Sequence, residues 1–463
     1  MLRGVRRLHS AARSSVLHPQ SDLRTVESAG PTLTVARGNG IHVFDEHGKS
    51  YIEGVSGLWC ASLGFSEPRL AAAAHRQMME LPYYHAMNGK THVPGRALAD
   101  KLLSIAPVPM AKVHFASSGS EANDTALKLI SYYHNAIGKP EKKKVIGRVR
   151  GYHGTSFTTS SLSGQAAMYP GFDLPFSHHI HVEEAHHWRH ARAGESEVEL
   201  SARLAQSLER RILAEGPETV AAFFAEPVHG AGGVLVPPEG YFEAVQAILR
   251  KYDILFVVDE VITGFGRTGE TWGAQTYNLK PDLLTSAKAL TAAFAPLSAL
   301  LVNERVYDAV AEQAKQFGVF AHGYTYSPHP VSCAVALETI RIYEEDDIVG
   351  HVRSEAGPAL QSGLRALAEH PLVGETCGVG LIGGIQLVLD KGAKRLYPAE
   401  ARAGPRLLEL CQERGLIIRS IAGDRIGLAP PLIISAEEVS DLLARLSSGL
   451  DALYGELAPF RKA

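Results

Sequence analysis

Between Lys112 and Val302 the chain repeatedly sets a short β-rich apolar run against a longer segment of helical spacing, and few folds accept that alternation. The runs are Val113–Ala116, Lys144–Gly147, Val220–Ala225, Ile254–Val258, Leu283–Thr285 and Ser298–Val302. They are apolar at successive positions, which is the pattern of strands covered on both faces. Leu204, Leu208 and Ile212, and then Phe242, Val245, Leu249 and Tyr252, carry the helical period between them. The expectation is an α/β fold with a largely parallel sheet. The C-terminal third predicts a separate α+β unit. It has strand-like Leu416–Arg419 and Ile426–Leu428, a break at Pro430-Pro431, and a long helix opened by the capping pair Ser435 and Glu438. That helix carries Val439, Leu442, Leu446, Leu450 and Leu453 on one face. A hairpin over Ile41–Ile52, turning at Glu46-His47-Gly48, is expected to pack against this unit. The corresponding boundaries are 1–60 for an N-terminal arm and part of a small domain, 61–325 for a large domain, and 326–463 for the C-terminal small domain.

Composition removes several classes of function. Lys and Arg number 46 against 49 Asp and Glu, so nothing draws the chain toward nucleic acid or an anionic membrane. The longest apolar stretch, Ala289–Val302, is interrupted by Thr291, Pro296 and Ser298 and is shorter than the roughly 20 residues a membrane helix needs. Cys60, Cys333, Cys377 and Cys411 are scattered without metal spacing, as expected of free thiols in a reducing compartment. The first 20 residues hold Arg3, Arg6, Arg7 and Arg13 with Ser10, Ser14 and Ser15, and no acid precedes Asp22. They read as a basic arm of a cytoplasmic protein, with a mitochondrial presequence as the alternative.

In open parallel sheets ligands bind beyond the carboxyl ends of the strands, so the segment after each run tests function. Those segments are Ser117–Asp124, Gly151-Tyr152-His153-Gly154, Glu226-Pro227, Asp259-Glu260-Val261 and Ala287-Lys288-Ala289. The Ser-Gly-Ser turn can offer N–H groups and a hydroxyl of Ser118 or Ser120 to a phosphate, or can be an ordinary N-cap. Glu121 and Asp124 are expected to turn away from an anion there. Lys288, among small apolar residues, is either a desolvated nucleophile able to form a Schiff base or a surface lysine. Asp259 ends a run at the sheet's centre, where a carboxylate needs a partner; a protonated ring nitrogen would serve, as would a loop-capping role. A phosphate anchor, a carboxylate, a lysine and an aromatic ring at one mouth together specify pyridoxal phosphate.

These segments, with Asp259-Glu260-Val261-Ile262-Thr263-Gly264-Phe265-Gly266-Arg267-Thr268-Gly269, resemble the class III aminotransferases, the ω-aminotransferase group of fold-type I pyridoxal phosphate enzymes. The likeness runs in order from Leu17-His18-Pro19 to the last helix. It implies a large domain with a mostly parallel seven-stranded sheet and a smaller α+β domain from the two chain ends. Lys288 would hold pyridoxal 5'-phosphate covalently, Asp259 its ring nitrogen, and Val261 and Tyr152 its two faces. Ser118, Gly119, Ser120, His153, Glu226 and Ile262 would complete the cofactor site, with Thr325 contributed by the partner of a homodimer, or of a tetramer. Ile262 stands where the ornithine and GABA branch has Gln. Gly57-Leu58-Trp59-Cys60 is similar to the amine or ω-amino acid:pyruvate branch, where Trp59 would line the substrate pocket and Arg419 would bind the carboxylate of pyruvate or alanine. The implied reaction moves an amino group from a primary amine or ω-amino acid to a 2-oxo acid in ping-pong order. A 2-oxoglutarate-dependent enzyme, an aminomutase or a decarboxylase on the same fold is the alternative. Pro328 replaces the family's Gly and Gln20 its aromatic, which predicts a different partner loop and amine pocket.

Two rival chemistries are weaker. Gly264–Gly269 and Gly378–Gly383 both spell G-x-G-x-x-G, but neither follows a strand and opens a helix as dinucleotide binding requires. The run His178, His179, His181, His186, His187 and His190 lacks the H-E-x-x-H order and reads as a solvated surface, so no metal is expected.

Overall fold

The computed structural model describes residues 15–29 and 32–461. The basic positions Arg3 to Arg13 lie outside them. At the centre is a seven-stranded sheet in the spatial order Lys112–Ala116, Ser298–Val302, Leu283–Ser286, Leu255–Asp259, Val220–Ala225, Lys144–Arg148, His179–Val182. All six anticipated runs are strands. Only Ser298–Val302 runs antiparallel, and it does so against both neighbours.

Every residue of Val220–Ala225 and Leu255–Asp259 is buried. Helices cover the two faces and close the core. Glu197–Glu215 starts with a full capping box from Ser196 and Glu199 and buries Leu204, Leu208 and Ile212. Gly119–Ala136 lies over the middle of the sheet and buries Leu129, Ile130 and Tyr133.

The His-rich run is a solvated surface only at His178, which is exposed; His179 and His186 are buried and His181, His187 and His190 half-buried. His179 and His181 belong to the edge strand His179–Val182, and His186 caps the short helix His187–His190. His179 Nδ1 meets Ser161 Oγ at 2.8 Å and His186 Nε2 meets Glu375 at 2.9 Å, so these imidazoles find polar partners within the interior. No metal-holding group of three ligands exists among the described residues.

Two four-stranded sheets flank this core. One joins Val35–Asn39, His42–Asp45 and Ser50–Glu53 to Leu416–Ile417, with Leu416 in parallel register with Ile52, so the two ends of the chain share a sheet as anticipated. The other orders Val373–Val379, Ile382–Leu387, Arg425–Leu428 and Arg419–Ile421. The stretch Leu416–Arg419, read as one strand, therefore divides at Ile418 between two sheets. Gly378–Gly383 is the turn of a hairpin in which Gly378 pairs with Gly383, and Gly264–Gly269 leads only into the four-residue helix Gly273–Thr276. Neither is a dinucleotide loop.

The helix Ala436–Glu456 opens on the anticipated capping box and buries Val439, Leu442, Leu446, Leu450 and Leu453. Its neighbours are the helices Gly357–Leu367 and Ala403–Glu413. Leu446→Ala should cost about 2–5 kcal/mol through lost burial and an unfilled cavity, whereas Ser435→Ala should cost about 1 kcal/mol through a lost cap. Urea unfolding midpoints of the two variants check the order; equal losses would mean that this face is not core.

Candidate functional site

The carboxyl ends of five strands deliver their loops to one mouth. Asp259, the last residue of Leu255–Asp259, is its buried centre. Asp259 Oδ2 accepts from Asn123 Nδ2 at 2.8 Å and lies 2.9 Å from His153 Nδ1, while Oδ1 accepts the Val261 N–H at 3.1 Å. A buried carboxylate without such partners would cost several kcal/mol. Asn123 also donates to the carbonyl of His153 at 2.8 Å, tying the helix Gly119–Ala136 to the loop carrying Tyr152 and His153. Sequence reading missed Asn123. Its signal was a polar residue on the helix face that otherwise enters the core beside Ala122 and Ala126.

Glu226, directly after Val220–Ala225, is buried and accepts the N–H groups of Tyr152 and Gly230, each at 3.0 Å. Burial raises its pKa above the ordinary carboxyl value, as it does for the Tyr152 phenol. Tyr152 is half-buried and lies within the electrostatic reach of Arg419, Asp259 and Glu226. The neighbouring Glu260 has a structural task. It accepts from Thr263, Gly273 and Ala274, and burial pushes its pKa up to about 7.

Lys288 comes two residues after Leu283–Ser286 and is held at φ 48°, a left-handed conformation that a side chain with Cβ adopts at a cost of about 1 kcal/mol or more. Desolvation lowers its amine to about 8; Cys60, Asp259 and Glu226 oppose that shift and Arg419 adds to it. Those four groups lie within electrostatic reach of the amine, which makes no hydrogen bond to protein among the described residues. The reading of Lys288 as a surface lysine is excluded.

At the other end of the mouth, the helix Gly119–Ala136 presents its first turn. Ser118 is exposed, and its hydroxyl accepts the Glu121 N–H at 3.2 Å, so it acts as the N-cap. Glu121 folds back onto the Ser117 N–H at 2.6 Å, turning aside as expected, while burial raises the pKa of Asp124 above the ordinary carboxyl value. Ser120 Oγ accepts from the Thr155 N–H at 3.1 Å. A Cβ at Gly119 would sit 3.1 Å from the Val261 side chain, which brings the turn and the residue after Asp259-Glu260 side by side. Gly154, at φ 134°, is where the Tyr152 loop crosses the start of this helix; a Cβ there would lie 2.6 Å from Ser120 Oγ.

The substrate side is built by the hairpin Arg419–Leu428. Arg419 pairs in register with Gly427, and a Cβ at Gly427 would lie 2.9 Å from the Trp59 ring. Trp59 is 2% exposed, at φ 64°, in an apolar cluster with Val55, Val228 and Ile262. Arg419 is half-buried, which lowers its pKa, yet no carboxylate pairs with it among the described residues. Its reading as a plain surface residue is excluded too. Thr325 stands apart from these residues on the exposed loop before the helix Pro330–Glu345, where its carbonyl accepts from the Tyr83 hydroxyl at 2.8 Å. Gln20 is exposed at φ 48°.

Comparison with known proteins agrees with this geometry. The family model for class III aminotransferases matches residues 25–450. Gamma-aminobutyrate transaminase 1, mitochondrial, of Oryza sativa subsp. indica is 47% identical over 430 residues, which cover 93% of this chain and 83% of that protein. Gamma aminobutyrate transaminase 3, chloroplastic, of Solanum lycopersicum is 47% identical over 419 residues, covering 90% and 80%. Among solved structures, the omega transaminase from Pseudomonas jessenii in complex with PMP superposes with a TM-score of 0.94 at 47% identity, covering 96% of this chain and 97% of that one. A structure described as a transaminase with L-ala gives 0.90 at 50% identity, covering 92% and 100%. The chain belongs to the class III aminotransferases, enzymes of fold type I that depend on pyridoxal 5'-phosphate.

Proposed function

We propose that this enzyme transfers an amino group from a primary amine or ω-amino acid to pyruvate, giving alanine, and that Lys288, Asp259 and Arg419 carry the reaction. The observation that carries the acceptor reading is Arg419: a half-buried guanidinium within electrostatic reach of Tyr152 and Lys288, with no carboxylate paired to it among the described residues, is a place for a substrate carboxylate. One solved relative, described as a transaminase with L-ala, supports alanine as the product. The names of the curated relatives make γ-aminobutyrate a candidate donor.

The residues present fit the cofactor. Lys288 supplies an amine with no protein hydrogen bond among the described residues, and Gly119, having no side chain, lets Val261 pack directly against the turn where the helix N–H groups emerge. Lys288 would hold the aldehyde, Asp259 the ring nitrogen, and Val261 and Tyr152 the two ring faces. Gly119, Ser120 and the N-terminal turn begun at Ser118 would hold the phosphate, with His153 and Asn123 orienting Asp259, Glu226 fixing Tyr152, and Ile262 backing Trp59. When bound, pyridoxal phosphate supplies an electron sink for charge developing on the substrate carbon.

Lys288 Nζ would move the proton at that carbon, a task for its neutral form. An ordinary lysine is charged at neutral pH; an amine near 8 is about one-tenth neutral at pH 7 and mostly neutral at pH 9. Trp59 and Ile262 wall the donor side with apolar surface, and Arg419 orients the acceptor's carboxylate bidentately.

Thr325 would reach the phosphate of a second copy. Tyr83, Tyr84, Met87 and Tyr326 lie exposed around it, with the Tyr83 and Tyr326 rings 5.6 Å apart, an apolar patch suited to burial in a homodimer. The mitochondrial and chloroplastic relatives support the presequence reading of the first 20 residues over the cytoplasmic one.

Three outcomes are expected. Lys288→Ala should lower turnover by at least about a thousandfold, measured as alanine formed per hour; near wild-type turnover would refute the assignment. The single-turnover rate with excess amine should rise with pH through about 8 and level off above it; a flat profile from about pH 6.5 to about pH 9.5 would remove Lys288 as the base. In a panel of amines, pyruvate should be consumed in preference to 2-oxoglutarate, with alanine rather than glutamate appearing by chromatography; dominant glutamate would overturn the acceptor.

A further inference from the structure

Arg150 lies just before the Gly151-Tyr152-His153-Gly154 loop and belongs to none of the motifs above. It is held at φ 65°, its N–H donates to the Gly164 carbonyl at 2.7 Å, and it is half-buried. Its guanidinium bridges two other segments. Nη1 donates to the carbonyl of Gly232 at 3.0 Å and Nη2 to that of Ala422 at 3.2 Å. A non-glycine residue costs strain to hold there, and no carboxylate is bonded to it among the described residues.

Each end of that bridge leads into the site. The segment around Gly232 begins at Gly230, whose N–H is bound by Glu226, and the other oxygen of Glu226 binds the N–H of Tyr152. Ala422 occupies the turn of the hairpin that carries Arg419 three residues earlier. The rest of that turn is fastened to its own side of the molecule: the carbonyl of Gly423 accepts from Gln386 at 2.6 Å, and Asp424 accepts from the Gly404 N–H at 2.9 Å. Beside a second link from Arg425, the first residue of the returning strand, whose Nε donates to the Gly233 carbonyl at 2.7 Å, Arg150 bonds the turn itself to the Tyr152 and Glu226 loops. Its surroundings keep it on that task. Burial and the neighbouring Arg189 and Arg425 disfavour an idle cation, and Glu184 nearby offsets them in part.

We infer that Arg150 is a positioning residue for the oxo acid half of the reaction, setting Arg419 at the right distance from Tyr152 and Lys288 by clamping the hairpin turn to the cofactor-side loops. This rests on Arg419 holding the acceptor's carboxylate. A donor amine without a carboxylate does not use that clamp; the oxo acid does. Small misplacements of a binding group cost large factors in rate, so loss of the clamp is read in one half-reaction only.

The test is stopped-flow measurement of both half-reactions separately, on the cofactor-loaded protein, with 1-phenylethylamine as donor and pyruvate as acceptor. Arg150→Ala should raise the pyruvate concentration at half-maximal rate by about tenfold and leave the amine half-reaction within about twofold. Arg150→Lys, which keeps one donor, should restore part of the loss, and Arg150→Ala should add little in an Arg419→Ala background. Equal losses in both half-reactions, or a full additional loss in that background, would overturn the inference. If Arg419→Ala leaves pyruvate saturation unchanged, the acceptor reading fails. If Arg419→Ala impairs it and Arg150→Ala does not, the clamp alone fails.

Discussion

A carboxylate at the centre of a buried sheet is the constraint on which the structure turns. Asp259 is 3% exposed at the end of a strand with no solvent on either face, and its charge is tolerable only because Asn123, His153 and the Val261 N–H satisfy it. Each partner comes from a different segment: a helix, a loop and the turn after the strand. The carboxylate thereby fixes the helix that presents Gly119 and Ser120, the loop that presents Tyr152, and the position of Val261. A cleft assembled in this way is organised before any ligand enters, which is what stabilising a developing charge requires.

Lys288 is the opposite case, a half-buried, largely desolvated amine given no protein hydrogen bond among the described residues. Desolvation outweighs the attraction of Asp259 and Glu226, so its amine stays near 8. Backbone strain at its φ of 48°, with Ala292 and Ala293 also left-handed just beyond, holds the residue out of the regular path that the strand would otherwise continue. The sheet thus supplies two unlike groups at adjacent strand ends, a satisfied acid and an unsatisfied amine. That asymmetry suits the cofactor chemistry of the family.

Much of this was legible in the sequence because both-sides-buried strands leave continuous apolar runs, and the residues just beyond them must face the mouth. Six strands, the capped helix at Ser435, and the gathering of Tyr152, Glu226, Asp259 and Lys288 came from that logic. His179–Val182 escaped it because an edge strand tolerates polar residues, and its histidines find partners in Ser161 and the Leu162 carbonyl. The antiparallel direction of Ser298–Val302 depends on how the chain re-enters the sheet, which apolar periodicity does not encode. The split of Leu416–Arg419 between two sheets is set by packing at Ile418, and the roles of Asn123 and Arg150 by contacts between segments far apart in the chain. The free guanidinium of Arg419 could be placed from sequence only by likeness to relatives. Geometry brings it within electrostatic reach of Tyr152.

The central claim is that the cofactor is tethered at Lys288. Reduction of the loaded protein with borohydride, followed by proteolysis and mass spectrometry, tests it directly. The account predicts a single pyridoxyl-phosphate adduct on the peptide containing Lys288. An adduct on another lysine, such as the buried Lys142, with Lys288 unmodified would contradict it.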